Sequence, residues 1–497
     1  MDKAVLVRAV GRCTGDRRLD GFRVGTTKRR ITDHLATKFN DTIAGCSEML
    51  YQIQLWKTGL VCGYPGSMPA ADKLQALAKY RRAWQTLDWT SKRVVDLPAS
   101  GRARALVAGI FALQEDLSNI YTLSLQESPR PCYTKHALDL KPGAKVRWTM
   151  DPTQDLLAVF YRSEQALTLA LRTLSTNQPH PMACRPTISI TVDALAEDEP
   201  VTIHIADDVV GVAFRNPGSI CIWNWRTGAF LAEVSQSDTD EPDFQFLSPR
   251  VFVIAEDLGW IEIYLITPAK AADSEGAVCV AVLRFPDLAC PDEDDPTGTW
   301  PWSPTALAIH SGPLSPHPIQ GSFSPINENR IYLFLSRLES PGGEVRYMRL
   351  ITHHTTLIEY VSQYVREERT KYIHLDWEDC GPRNTRILEG NEFDWLANAH
   401  GERVVLLGVG EDQPQLQVLD FGVIPKDLEE DESDTLILEP TTIHTPFHEP
   451  VTTYLPFRRT LLAKGHYFDT LLIDQDHIVV ADSKNLNETG KMTVFKF

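Results

Sequence analysis

The 497-residue chain has no run approaching the roughly 20 consecutive apolar residues that a membrane-spanning helix needs. Met1 is not followed by a signal-like apolar stretch either. The nine cysteines are odd in number, dispersed and never arranged as C-x-x-C, so the sequence indicates neither a disulfide framework nor a cysteine zinc site. Reduced thiols in cytosol or nucleus are expected, and without secretion the sequons at Asn40 and Asn487 carry little meaning. Positive charge is scarce, with 49 Lys and Arg against 66 Asp and Glu for a formal net charge of -17. That balance argues against non-specific binding to nucleic acid or to an anionic membrane, because both are polyanions.

Enzyme signatures are missing as well. The sequence contains no H-E-x-x-H, G-x-S-x-G or G-x-x-x-x-G-K-[ST], and no G-x-G-x-x-G between a strand and a helix. No cofactor and no metal is therefore expected, and the chain reads as a non-enzyme. Two groups come nearest to chemistry. His353-His354 are potential metal ligands, but neighbours on a strand point to opposite faces and do not converge. Asp376, Glu378 and Asp379 surround Trp377 in a pattern that acid–base hydrolysis of a glycoside would use, although a solvated acidic loop is the simpler reading in so acidic a chain.

What charge there is lies unevenly. From Met1 to Lys38 there are ten Lys or Arg against four Asp, giving +6 and leaving -23 to the rest. Arg17-Arg18 and Lys28-Arg29-Arg30 fit a nuclear address, a nucleic-acid contact or an Arg-rich presequence, while a poorly ordered basic leader over residues 1–37 needs none of these. A helical block follows. Leu50, Ile53 and Trp56 share one face, with Ser47 as N-cap, Gly59 as stop and Leu60 folding back. In the next helix Ser67 precedes Pro69, and Leu74, Leu77, Tyr80, Trp84 and Leu87 recur at steps of three or four, the spacing of a packing face and not of a cofactor box.

Beyond Asp88 the chain reads as short strands separated by turns. The fullest example runs from Asp207 to Val234. Val209, Val210, Val212 and Phe214 form one strand, Asn216-Pro217-Gly218 turns it, Ile220 to Trp225 returns, and Thr227-Gly228 turns again. Further runs include Val107 to Leu113, Val146 to Met150, Leu156 to Tyr161, Leu167 to Leu171, Val251 to Ala255, Trp260 to Ile266, Ile331 to Leu335, Thr356 to Tyr360, Val404 to Val409 and His477 to Ala481. Strands without intervening helices argue against a βαβ fold and for a sandwich, barrel or propeller. Similar hairpins start near Leu156, Val209 and Val251, a spacing of about 40 to 50 residues that matches a propeller blade. The expected fold is mainly β, a degenerate propeller of about seven blades over residues 93–497. Trp148, Trp225, Trp260 and Trp302 are expected between the sheets. The stretches Pro286 to Pro304, Ser311 to Pro325 and Lys426 to Asp434 are expected to be loops.

Four segments carry a family resemblance. Ser47 to Gly59 (SEMLYQIQL…G) with Lys73 to Thr90 (containing YRRAWQTLDWT) resembles the segment that follows the F-box in F-box proteins abundant in mushroom-forming fungi. Trp223 to Gly228 (WNWRTG), Trp377 to Arg386 (WEDCGPRNTR) and Val451 to Arg459 leading to Leu471-Leu472-Ile473-Asp474 resemble that family's C-terminal strand domain. The resemblance implies a substrate-recruiting adaptor, in which the F-box docks on the Skp subunit of a cullin-RING ubiquitin ligase and the strand domain recruits an unidentified protein substrate. It departs from the pattern where the Leu-Pro-x-Glu-Leu helix should precede Lys38. Only Lys38 to Ile43 is similar to the end of an F-box, so residues 38–92 read as an F-box remnant, truncated or divergent. Leu35, Phe39 and Ile43 are its candidate Skp-facing residues, ordinary packing against the next helix being the alternative. Three functions follow in order: the ligase adaptor, a propeller interaction scaffold without a ligase, and a propeller hydrolase using Asp376, Glu378 or Asp379.

Overall fold

The computed structural model describes residues 47–497 apart from 65, 99–100, 102, 116–117, 127–131, 139–145, 163–165, 192–198, 216–217, 237–242, 257–258, 268–275, 290–301, 315–322, 341, 393–396, 410–413, 424–434, 462–469 and 483–489. The basic leader, the candidate residues Leu35, Phe39 and Ile43, and both sequons lie outside the described residues.

Seven antiparallel sheets follow one another along the chain, each built on a four-stranded meander. Blade 1 holds Ala103–Val107, Ile110–Gln114, Asn119–Ser124 and Thr134–Ala137. Blade 2 holds Val146–Asp151, Leu156–Arg162, Ala166–Thr173 and Thr187–Thr191. Blade 3 holds Glu199–Ala206, Val209–Arg215, Gly218–Asn224 and Ala229–Gln236, and blade 4 holds Asp243–Ser248, Val251–Glu256, Trp260–Ile266 and Ala277–Arg284. Blade 5 takes Ser303–His310, Ile331–Glu339, Val345–His353 and Thr385–Glu389. Blade 6 takes Asn398–His400, Arg403–Val409, Pro414–Asp420 and Phe457–Leu461. Blade 7 joins the two ends of the described chain: Thr470–Ile473, His477–Asp482 and Lys491–Lys496 receive Ser91–Asp96 as the fourth strand, paired from Ser91 with Lys496 to Asp96 with Lys491. The molecule is a seven-bladed β-propeller, closed by pairing Ser91–Asp96 with the last strand, Lys491–Lys496.

The strand sequences explain the ring. A residue and its neighbour point to opposite faces of a sheet, and in a propeller both faces of a blade meet another blade. Val404 and Leu406 therefore join blade 5's Ile331, Leu333 and Leu335. Val405 and Leu407 join blade 7's Leu471, Ile473 and Ile478. The same alternation gives seven buried clusters among the described residues, one at each junction between neighbouring blades. Second strands such as Leu156–Arg162 and Val251–Glu256 are thus nearly continuous apolar runs. Burial of one such Val, Leu, Ile or Phe side chain contributes about 1.5–3 kcal/mol. Gly211 interrupts one run because a Cβ there would lie 2.7 Å from Cζ of Phe244 in the next blade.

The hairpin expected from Val209 to Phe230 forms in register, Val210 opposite Trp223 and Val212 opposite Cys221. Trp225 is fully buried, its indole N–H donating to the carbonyl of Asp207 at 2.7 Å. Gly228 takes φ +73 at the second turn, where its N–H bonds the carbonyl of Asn224. Trp148 and Trp302 are half-buried but pack, as expected, against the clusters between blades 1 and 2 and between blades 4 and 5, while Trp260 is half-buried and joins no such cluster.

Other expectations need correction. Val107 to Leu113 is not one strand but two, turned at Ala108 and Gly109, which both have positive φ. Thr356 to Tyr360 lies inside a helix, His354–Arg366. Its β-branched Thr355, Thr356 and Ile358 suggest a strand, but Leu357 and Val361, one helical turn apart, are what the fold buries. Pro304 and Phe323–Pro325 belong to strands and not to loops, the latter pairing with Leu60–Cys62. Residues 426–434 lie outside the described residues.

Two helices precede the ring, α1 (Ser47–Lys57) and α2 (Ala70–Thr86). Leu77, Tyr80, Trp84 and Leu87 are buried as expected, packed into the junction of blades 6 and 7. Tyr80 donates its hydroxyl to the carbonyl of Gln475 at 2.5 Å, and Trp84 stacks on Phe497 at 4.1 Å beneath the guanidinium of Arg403. In α1 it is Tyr51 that is buried, while Leu50, Ile53 and Trp56 stay half-exposed. No helix among the described residues is long and apolar enough to cross a membrane.

Candidate functional site

Additions to the ring are concentrated around blades 4 to 6. The link between the third and fourth strands of blade 5 carries helix α3 (His354–Arg366), strand Ile373–Leu375 and helix α4 (Trp377–Cys380). Strand Ile373–Leu375 pairs in parallel with Ala281–Leu283, giving blade 4 a fifth strand. The corresponding link of blade 6 carries the hairpin Thr441–Ile443 and Val451–Thr453. Beyond it, Phe447 forms a bridge with Leu288 on the connection from blade 4 to blade 5, and the N–H of Ala289 bonds the carbonyl of Pro446 at 2.7 Å.

An apolar groove of about 430 Å³ lies between blades 4 and 5, and of these additions the blade 6 hairpin reaches it, through Phe447. Trp260, Phe285, Leu288, Trp302, Met348 and Phe447 are among the side chains that line it. The charged side chains in its lining compensate each other, Arg284 pairing with Asp287 at 3.0 Å. The groove offers area for a large apolar side chain and no converging acid or nucleophile.

Arg386, the last residue of the WEDCGPRNTR segment, holds the blade 6 hairpin to blade 5. Its side chain is fully buried. It donates to the carbonyls of Leu455 at 2.7 Å and Glu439 at 2.9 Å and to the hydroxyl of Thr441 at 2.7 Å, and it lies over the ring of Phe457. Burial lowers its pKa from the usual arginine value. Replacing it by methionine strands several buried acceptors, each worth about 1–3 kcal/mol. Arg386→Met is expected to cost about 3 kcal/mol in urea unfolding, and an unchanged midpoint would show that the hairpin is held otherwise.

A second cavity, of about 230 Å³, lies on the ring axis and is lined by the innermost strands of all seven blades. Its polar side comes from blades 3 to 5. Nε2 of Gln245 lies 3.4 Å from a ring nitrogen of His204 and 3.3 Å from the carbonyl of Ile309, whose N–H donates to Asp243 at 2.7 Å. Burial lowers the pKa of His204 and of His310 to about 4, the neighbouring His310 adding to the effect on His204. Burial also raises Asp243 to about 6, against the pull of its N–H partners. One end is crossed by residues 311–314, where Leu314 bridges Ala206 of blade 3 and Arg330 donates to the carbonyls of Gly312 and Pro313. The strap forms part of the lining of this axial cup.

The weighed residues are placed elsewhere. His353 ends a strand with Nδ1 3.5 Å from Glu402, whereas His354 opens α3, buried and stacked on Tyr332. They diverge, as their sequence position implies. Asp376, Glu378 and Asp379 are exposed around α4 and line neither cavity. Among the described residues no group of three or more His, Cys, Asp or Glu is placed to hold a metal ion. His204, Gln245 and His310 were not singled out from sequence. Their signal is a polar residue flanked by apolar ones, as in Ile203-His204-Ile205 and Phe244-Gln245-Phe246.

No family model matches the chain, and no curated protein matches it. It is similar to solved structures at low identity. A chain of a mitotic checkpoint complex is 8% identical with a TM-score of 0.41, the match covering 82% of this chain and 91% of that one. The WD40 domain of Toxoplasma gondii coronin is 10% identical with a TM-score of 0.39, covering 82% and 87%. The WD40 β-propeller domain of Doa1 is 9% identical with a TM-score of 0.38, covering 82% and 96%. The assignment of a seven-bladed propeller rests on the strand order above.

Proposed function

We propose that this chain is a protein-binding scaffold that grips a partner by an apolar side chain in the groove between blades 4 and 5. The supporting observation is the groove itself, an apolar recess lined by Trp260, Phe285, Leu288, Trp302 and Met348 with Phe447 added from the blade 6 hairpin. In the finer reading the chain is the substrate-recruiting adaptor of a Skp–cullin–F-box ubiquitin ligase, working in cytosol or nucleus. Its support is the resemblance of Ser47 to Gly59 and Lys73 to Thr90 to the segment after an F-box. Helices α1 and α2 are packed into blades 6 and 7, so a ligase docked at this end would meet the recruited protein in a fixed orientation. Scaffolding without a ligase is the remaining alternative.

The test mixes the purified full chain with a Skp subunit and its cullin and follows co-elution on gel filtration. Co-elution is expected, with loss in a triple variant Leu35→Asp, Phe39→Asp, Ile43→Asp. A full chain that elutes apart from Skp sinks the adaptor reading and leaves the scaffold. Independently, Leu288→Asp with Trp302→Ala is expected to weaken capture of the chain's protein partners at least about tenfold, roughly 1.4 kcal/mol. Undiminished capture would place binding elsewhere on the ring.

A further inference from the structure

The axial cup plays no part in the proposed scaffold function, and its chemistry differs from that of the groove. At about 230 Å³ it is smaller than the roughly 300 Å³ at which pockets for drug-sized molecules begin. His204, Gln245 and His310 present donors and acceptors from one side. Leu106, Met150 and Leu472, from blades 1, 2 and 7, supply aliphatic surface on the other, beside Arg104, Thr149 and Asp151. Nε2 of His310 is buried with no hydrogen-bond partner among the described residues. Such an atom costs about 1–3 kcal/mol unless something bonds it.

Charge is poorly served in the cup. The charged side chains in its lining are Arg104, which donates to the hydroxyl of Thr470, and Asp151, which accepts from Thr153 and Gln154. Their charges cancel, so an ion would enter a small cavity that holds no net counter-charge. A polyol carries hydroxyls around its whole periphery and would set some of them against the leucines and methionine. A planar ring with a polar edge and apolar faces satisfies both sides at once.

We propose that the cup binds one small, flat, uncharged heterocycle of about nucleobase size, its polar edge toward His204, Gln245 and His310 and its faces against Leu106, Met150 and Leu472. Thr149 and Asn398 also line the cup, as does the strap at residues 311–314, which Leu314 ties to Ala206. Water filling the cup instead is the outcome that competes with this one.

The test titrates the purified full chain with adenine, cytosine, uracil and nicotinamide, with glucose as a polyol and benzoate and benzylamine as ions. Saturation-transfer NMR and calorimetry give the readout. At least one neutral heterocycle is expected to saturate with a Kd below about 1 mM, and Gln245→Leu and His310→Phe are each expected to weaken it about tenfold or more. The ligand-free melting temperature of each variant separates lost binding from lost fold. Should His310→Phe fail to fold, His204→Phe replaces it. The inference is overturned if none of the heterocycles saturates, if glucose or an ion binds more tightly, or if binding survives both substitutions.

Discussion

A chain ended at Gly490 is expected to lose cooperative folding altogether. Strand Lys491–Lys496 lies between His477–Asp482 and Ser91–Asp96, so its removal also releases the strand that closes the ring. Met492, Val494, Phe495 and Phe497 leave the core with it, and they serve both junctions of blade 7. At about 1.5–3 kcal/mol per buried side chain the loss is on the order of 6–12 kcal/mol. That is comparable with the whole stability of an ordinary domain, about 5–15 kcal/mol. Circular dichroism melts and limited proteolysis read the result, and a sharp melt in the shortened chain would mean that the remaining blades hold without closure. The single change Phe497→Ala, which removes the ring stacked on Trp84, tests the same junction more gently at about 3 kcal/mol.

Mild acid is expected to have the second-largest effect. Burial lowers the pKa of His204, His310 and His400 to about 4 and that of His354 to about 3, the last two also disfavoured by the guanidinium of Arg330. In the unfolded chain these imidazoles take up a proton near pH 6.5, while in the folded chain they stay neutral. Stability is therefore complete above about pH 6.5 and falls as pH drops toward 4, by on the order of 2–3 kcal/mol for each histidine. Asp243 opposes this, since a carboxyl raised to about 6 favours the folded state below that pH, but it is one group against four. Urea midpoints at pH 7.5, 6 and 5 should decline steadily, and His354→Phe should flatten the decline. A midpoint constant from pH 7 to 5 would show that these imidazoles accept protons in place.

The legible part of the fold is the part governed by burial on both faces of a strand. Leu156, Val209 and Val251 begin the second strands of blades 2, 3 and 4, which is why their spacing gave the blade period. Where one short segment serves two purposes, the local pattern misleads. Thr356 to Tyr360 has strand-forming residues but is held as a helix by contacts of Leu357 and Val361 with blades 4 and 5, which no local window contains. The candidate sites are harder still. His204, Gln245 and His310 come together only when three blades are set around an axis, and the groove depends on Phe447 arriving from blade 6 beside Leu288. The resemblance named segments and not their work: in WEDCGPRNTR, the acids are exposed and Arg386 ties two blades together.

The parallel strand Ile373–Leu375 on the outside of blade 4 has its own consequence. It uses the main-chain donors and acceptors of Ala281–Leu283 that an incoming extended peptide would otherwise exploit for strand addition. Along that stretch of rim, a peptide adding as a strand is left only the three-residue outer edge of Ile373–Leu375.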